Sequence, residues 1–311
     1  MKYDVVVIGE LNVDIIFNKV QALPEVGKEK LAQQMMVTLG SSSAIFANNV
    51  SSLGAKVAFI GKVGKDAFGD YVLKALTSSG VDVSMVTQTE KASTGATVIM
   101  NFGEDRANLT YPGAMDSFSI ENIPLEKLKL ARHLHISSYF LQPGLRKHIG
   151  MLFSEAKKLG MTTSFDPQWD PYERWDLDFE NILPFVDILL PNESELLKFT
   201  SKSSLEEAIE TLKQYIHILL VKRGNKGSVA VSNGNIISRP AYLNEEVVDA
   251  IGAGDSFNAG FIFKFLQNAP LEICHEFGNL TGYISTTACG GIEAFISNDD
   301  FVQSAQKRFG L

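Results

Sequence analysis

One stretch late in the chain carries residues of the right types, at the right spacing, to handle an anion. Val247-Val248-Asp249-Ala250-Ile251 leads into Gly252-Ala253-Gly254-Asp255-Ser256. Gly252 and Gly254 can take φ > 0 and leave bare backbone open to a ligand. Beyond them Phe257, Phe261 and Phe265 recur every four residues with Ile262 and Leu266 beside them, so a helix with that stripe buried is expected. The first N–H groups of a helix lack intrahelical partners, and the macrodipole adds about half a positive charge there. The amides from Gly252 to Asp255 could therefore hold a transferring phosphoryl group, with Asp255 as base towards an attacking hydroxyl. A plainer use of the same residues is a turn with Asp255 as a helix cap. The helix terminus predicts a low pKa for Asp255, which a loose transition state tolerates because the hydroxyl proton can leave late.

Composition narrows the setting. The chain has 311 residues, 45% hydrophobic and 21% charged, enough for a large core and ordinary for a soluble globular protein. Net charge is −8, and no basic block offers a nucleic-acid footprint. Cys274 and Cys289 form neither a C-x-x-C pair nor a disulfide framework, which suits a reducing, cytoplasmic setting. Val5-Val6-Val7-Ile8 is too short for a signal-peptide core and reads as a strand, and no apolar run is long enough to cross a bilayer.

The positioning elements alternate. Strands are expected at Val5–Ile8, Lys56–Ile60, Leu134–Ser137, Thr162–Phe165, Val186–Leu190 and Ile216–Lys222. Helices are expected at Ser41–Leu53, Asp66–Ser79, Leu145–Leu159, from Glu193, over Leu205–Tyr215, after Asp255, over Leu271–Cys289 and near the C-terminus. Such alternation predicts an α/β fold with a mostly parallel sheet covered by helices. Two regions break it, Asn12 to Leu39 and Thr94 to Tyr111, whose β-prone stretches Ile15–Asn18, Ala96–Phe102 and Asn108–Tyr111 suit a small separate sheet. His133 and His135 share one face of a strand and are expected to be structural, and Arg106 falls in the small sheet.

The Asp249–Asp255 segment resembles the D-T-x-G-A-G-D signature of the ribokinase-like (PfkB) carbohydrate kinases, with Ala250 in place of the usual Thr. The resemblance spans nearly the whole chain. It implies a single Rossmann-like domain over 1–311 with a small β lid from segments 12–39 and 94–111, often paired with a second subunit's lid, hence a homodimer. It implies Asp255 as catalytic base and Gly252, Ala253 and Gly254 as the anion hole. Gly9-Glu10-Leu11-Asn12-Val13-Asp14 looks like the first-strand motif, whose Asn and Asp bind sugar hydroxyls; a strand end turning polar suits that task. With Gly40, Ser41 and Asp249, Asn12 and Asp14 make up the implied substrate side. Val57 to Gly69 also resembles the family closely.

Three departures bear on the substrate. Counting back from Leu53-Gly54, the family's second Gly becomes Ser41 and its sugar-binding Asn becomes Ile45. Ser41 to Ser43 can cap a helix or meet a sugar; Ile45 offers packing only. Phe165-Asp166-Pro167-Gln168-Trp169-Asp170 resembles the D-x-N-x-R segment of fructokinases and ketogluconate kinases, with Gln168 for Asn and Asp170 for Arg. A carboxylate at Asp170 would repel an acidic sugar. Lys222 stands where the family often has Thr or Ser, and an ammonium there could reach a phosphate.

On the nucleotide side, Asn192 and Glu195 match the N-x-x-E element that positions magnesium, here through water, since Mg²⁺ keeps several waters; an N-cap with first-turn acids is compatible with that. Lys222, Gly224 and Gly227 fall in the nucleotide-binding strand and turn, Asn279 near the adenine, and Cys289-Gly290-Gly291 replaces a Gly-Ala closure. Asp249 and the Ile251 carbonyl correspond to a potassium site in several relatives. The expected activity is ATP- and Mg²⁺-dependent phosphorylation of a neutral sugar, fructose- or ribose-like. A nucleoside kinase and a non-catalytic sugar- or nucleotide-sensing relative are the alternatives; a Rossmann oxidoreductase lacks its G-x-G-x-x-G.

Overall fold

The computed structural model describes the chain except residues 103–104, 244–246, 297–300, 302 and 304–311. The strands, in chain order, are β1 (Tyr3–Ile8), β2 (Asn12–Asn18), β3 (Gln34–Leu39), β4 (Val57–Ile60), β5 (Lys62–Gly64), β6 (Thr87–Thr89), β7 (Gly95–Phe102), β8 (Asp105–Tyr111), β9 (Ala131–Ser137), β10 (Thr162–Asp166), β11 (Ile188–Leu189), β12 (Ile218–Lys222), β13 (Ser228–Ser232) and β14 (Asn235–Arg239). Eight of them form the main sheet, in the order β14-β13-β12-β11-β10-β9-β1-β4, parallel from β4 to β12 and antiparallel from there to the β14 edge.

An unbroken apolar run such as Val5–Ile8 needs cover on both faces, and the sheet supplies it. Val6 and Ile8 join Leu134, Ile136 and Phe165 in one core; Val5 and Val7 join Phe46, Phe59, Phe257 and Phe261 in the other. The helix Ala253–Leu266 is buried all round from Asp255 to Ile262, where sequence periodicity predicts a stripe; Phe265 and Leu266 are only partly covered. It lies between the helices Ser42–Ser52 and Leu271–Ser285. A Cβ on Gly260 would stand 2.1 Å from Thr281 Oγ1, so close helix packing demands a glycine there.

The expected small sheet is present, with order β3-β2-β7-β8, built from segments 12–39 and 94–111. Other expectations shift. The helix over 145–159 is two pieces, Pro143–Arg146 and Ile149–Lys158, the second laying Ile149, Leu152, Phe153 and Ala156 on the core. The hairpin β13–β14 was not anticipated, although Asn233-Gly234, at φ 50 and 77, is a two-residue turn signal between Ser232 and Asn235. The helix expected near the C-terminus falls largely outside the described residues.

Candidate active site

The C-terminal ends of parallel strands gather polar residues where the helices begin. Glu10 follows β1, Asp166 ends β10, Asn192 lies just past β11, and Lys222 ends β12. The small sheet starts from this end too, since β2 begins at Asn12 just past the C-terminal end of β1.

On β2, Asn12 and Asp14 are two residues apart and so share a face. Asn12 Nδ2 donates to Thr97 Oγ1 at 2.7 Å, while its Oδ1 is buried without a partner. A Cβ on Gly40 would stand 2.2 Å from Asp14 Oδ1 and 2.6 Å from Asn12 Oδ1, so the missing side chain keeps both oxygens clear. Burial pushes the Asp14 carboxyl up to about 7, helped by the charges of Asp255 and Asp249 and opposed by Arg106. That cost falls once hydroxyls donate to the carboxylate.

The three serines have separate tasks. Ser41 sits at φ 72, where the family's glycine would be unstrained, and its hydroxyl is engaged: it donates to the Glu10 carbonyl at 2.6 Å and caps Ala44 N–H at 3.1 Å. Ser43 donates to the buried Glu10 carboxylate at 2.5 Å. Ser42 hydrogen-bonds Asp255. Ile45 packs against Gly252 and Gly291, which supports the loop below the helix start; a Cβ on Gly291 would stand 2.5 Å from Ile45 Cδ1.

Gly252 is left-handed at φ 71 and caps the helix Ala253–Leu266. The first helical backbone bond is Ser256 N–H to the Gly252 carbonyl, and the Gly254 and Asp255 amides have no acceptor among the described residues. Burial and the Asp166 charge push Asp255 up to about 7, against Lys222. The low pKa expected from the helix terminus is therefore corrected: desolvation outweighs the dipole.

Lys222 is paired within the fold. Its Nζ lies 2.6 Å from Asp166 Oδ2, 3.3 Å from Asn258 Oδ1 and 3.5 Å from where a Cβ of Gly254 would be. Asp166 Oδ2 also accepts from Asn258 Nδ2 at 2.6 Å and Gln168 Nε2 at 3.0 Å, and that same Gln168 nitrogen reaches Asp255 Oδ1 at 3.1 Å. Asp170 is not bare: it accepts from the backbone N–H groups of Tyr172, Arg174 and Trp175, which fix its carboxylate within its own loop. Asp166 and Gln168, the D-x-N-x-R positions, are thus joined in this cluster by Asn258, a residue in none of the sequence motifs.

Asn192 caps the helix Glu193–Thr200 in a reciprocal box with Glu195, at 2.9 Å each way. Glu195 is buried and pushed up to about 8, by desolvation and then Asp166. Gly224 and Gly227 turn at φ 55 and 86. Ser228 donates to Asn279 Oδ1 at 2.9 Å and lies 2.6 Å from His275 Nε2, leaving Asn279 Nδ2 buried without a partner. Asp249 accepts from Ile251 N–H at 3.0 Å and Gly290 N–H at 3.1 Å.

The chain matches the pfkB family of carbohydrate kinases over residues 2–298. It belongs to that family. An "uncharacterized sugar kinase" of Archaeoglobus fulgidus is 31% identical over 236 residues, 74% of this chain and 91% of its own length. A nucleoside kinase of Methanothermobacter thermautotrophicus is 29% identical over 278 residues, 89% of this chain and 87% of its own. Among solved structures, adenosine kinase from Sinorhizobium meliloti aligns with a TM-score of 0.83 at 25% identity, covering 98% of this chain and 100% of that one.

Ribokinase-like kinases use ATP with Mg²⁺, and the residues of this PfkB kinase fit both. Unpaired amides at Gly254 and Asp255 suit phosphate oxygens, and the unpartnered Asn279 Nδ2 suits a base acceptor. Asp166, Glu195 and Asp255 are buried near the ammonium of Lys222, and no three Asp, Glu, His or Cys side chains among the described residues converge as ligands, which fits an ion held through water rather than directly.

Proposed function

We propose that this kinase transfers the γ-phosphoryl group of ATP to a hydroxymethyl group of a neutral sugar, fructose- or ribose-like. The observation that carries it is Asp255, a buried carboxylate beside the unpaired amides of Gly254 and Asp255. The acceptor oxygen attacks the γ-phosphorus in line, the bond to the ADP oxygen breaks, and the hydroxyl proton passes late to Asp255. A base titrating near 7 is well matched to that task at neutral pH. Asn12 and Asp14 orient the acceptor, with Gly40 giving room and Asp249 adding charge; Ser41 acts through its cap, since its hydroxyl is taken. Asn192, Gly224, Gly227 and Asn279 take the nucleotide, and Lys222 reaches a phosphate only by leaving Asp166. Asn192 and Glu195 would hold Mg²⁺ through water, supplying charge neutralisation at the phosphates. Remaining lone pairs of Asp249 and the Ile251 carbonyl would take K⁺. Exposed Met35, Leu109 and Tyr111 on the small sheet support its use as a lid that pairs with a second copy.

The carboxylates Glu10, Asp14 and Asp249 argue against phosphorylated or acidic acceptors. A nucleoside acceptor is the second reading, favoured by the similarity to a nucleoside kinase and an adenosine kinase. ADP release with fructose, ribose, adenosine, fructose 6-phosphate and 2-keto-3-deoxygluconate tests all of this. Faster turnover of adenosine than of either free sugar would install the nucleoside reading. Preference for a phosphorylated or acidic sugar, or no turnover at all, would overturn the proposal. Asp255→Asn should keep nucleotide binding and lower kcat by about 10²–10⁴.

A further inference from the structure

Gln168 lies on the loop after β10 with its backbone at φ 61, a left-handed conformation that strains a residue other than glycine. Its side chain gives that strain a purpose. One nitrogen, Nε2, has two hydrogens and two carboxylate acceptors, Asp166 Oδ2 at 3.0 Å and Asp255 Oδ1 at 3.1 Å. We infer that Gln168 is a positioning residue for phosphoryl transfer, fixing the Asp255 carboxylate and favouring its ionised form with a neutral donor. The inference rests on Asp255 being the base. In the step itself the acceptor oxygen bonds phosphorus, the bond to ADP breaks, and the hydroxyl proton goes to Asp255; Gln168 gives up neither hydrogen.

The surrounding charges show why such a donor is needed. Asp255 faces Asp166 at the end of β10, Glu10 after β1, Asp14 on β2 and Glu195 in the helix Glu193–Thr200. Against these four carboxylates stands Lys222 at the end of β12, whose ammonium is already held by Asp166. Every like charge favours the protonated acid, which cannot accept a proton. Gln168 and Ser42 oppose this by donating to Asp255, and only Gln168 also ties it to the Asp166–Lys222 pair.

The test is kcat/KM for the acceptor against pH at saturating ATP, for the wild type, Gln168→Leu, Gln168→Glu, Gln168→Asn and Asp255→Asn. Gln168→Leu should lose about tenfold at neutral pH while its acidic limb moves up by about one pH unit, with KM for ATP unchanged. Gln168→Glu, close in shape but without the donor, should move the limb at least as far and carries the comparison if the Leu variant fails to fold. Gln168→Asn keeps an amide and accepts the left-handed backbone more readily, so it should stay nearest the wild type. An unmoved limb in both donor-less variants, or a loss equal at every pH, overturns the inference while leaving the base intact. Near-normal activity of Asp255→Asn overturns the base assignment and this inference with it.

Discussion

The Lys222 ammonium rests 2.6 Å from Asp166 Oδ2, in a pair whose carboxylate side chain is wholly buried. The two partners are not equivalent. Asp166 also accepts from Gln168 and Asn258, whereas among the described residues Lys222 has only Asn258 Oδ1 besides. Asp166→Ala should therefore cost about 3–5 kcal/mol, the range for an abandoned buried charge, and Lys222→Met distinctly less. Urea unfolding of both variants measures the difference; equal losses would mean that the amide donors do not sustain Asp166.

Gly252 and Gly254 should respond to alanine in opposite ways. At 252 the left-handed backbone and a Cβ 2.6 Å from Gly291 Cα predict a loss of stability, at least the roughly 1–2 kcal/mol of the conformational term. At 254 the new methyl meets Lys222 no closer than 3.5 Å, so the protein should fold normally while kcat drops, because the methyl shields the amides offered to the phosphoryl group. Thermal melting and kcat for the pair separate the two effects, and full activity in Gly254→Ala would remove the amides from the reaction.

Gly40→Ala should raise KM for the acceptor and leave KM for ATP alone, since the added methyl would press on Asp14 Oδ1 and Asn12 Oδ1. Asp14→Ala should weaken kcat/KM about tenfold or more through loss of the hydroxyl contact. If both variants changed the ATP parameters instead, this face of β2 would belong to the nucleotide.

Two buried histidines predict acid sensitivity. His133 hydrogen-bonds Thr162 and Ser164, and His135 stacks on Phe46 at 3.7 Å. Desolvation lowers His133 from 6.5 to about 3 and also holds His135 well below 6.5. Neutral in the fold, these rings take up protons only on unfolding, so their contribution to stability is complete above about pH 6.5 and is lost as pH drops towards 3. Asp14, Asp255 and Glu195, raised to about 7, 7 and 8, take up protons in the fold and act in the opposite sense, so the difference in unfolding free energy between wild type and His133→Gln, followed against pH, should show the histidine slope.

Much of the architecture is legible in local pattern. Val5–Ile8 can only be a strand covered on both sides, Asp66 caps its helix as its position before Ala67 predicts, and Gly252 to Asp255 announce a helix start that offers bare amides. These features depend on chain stereochemistry and on neighbours within a few residues. The β13–β14 hairpin was equally local, written in Asn233-Gly234, and needed only to be read.

Other properties belong to tertiary structure, because they arise between residues far apart in the chain. Local sequence gives Asp255 a helix dipole and hence a low pKa; only folding reveals the burial and the Asp166 carboxylate that drive it to about 7. Asp170 looks like a bare charge until the loop wraps three backbone amides around it. Local sequence shows Lys222 as an ammonium within reach of a phosphate; only folding places Asp166 beside it, a partner 56 positions away. Residue types set which charges the site contains. The fold decides which of them are desolvated and which are paired, since Coulomb attraction and the cost of lost water depend on distances that no local pattern encodes.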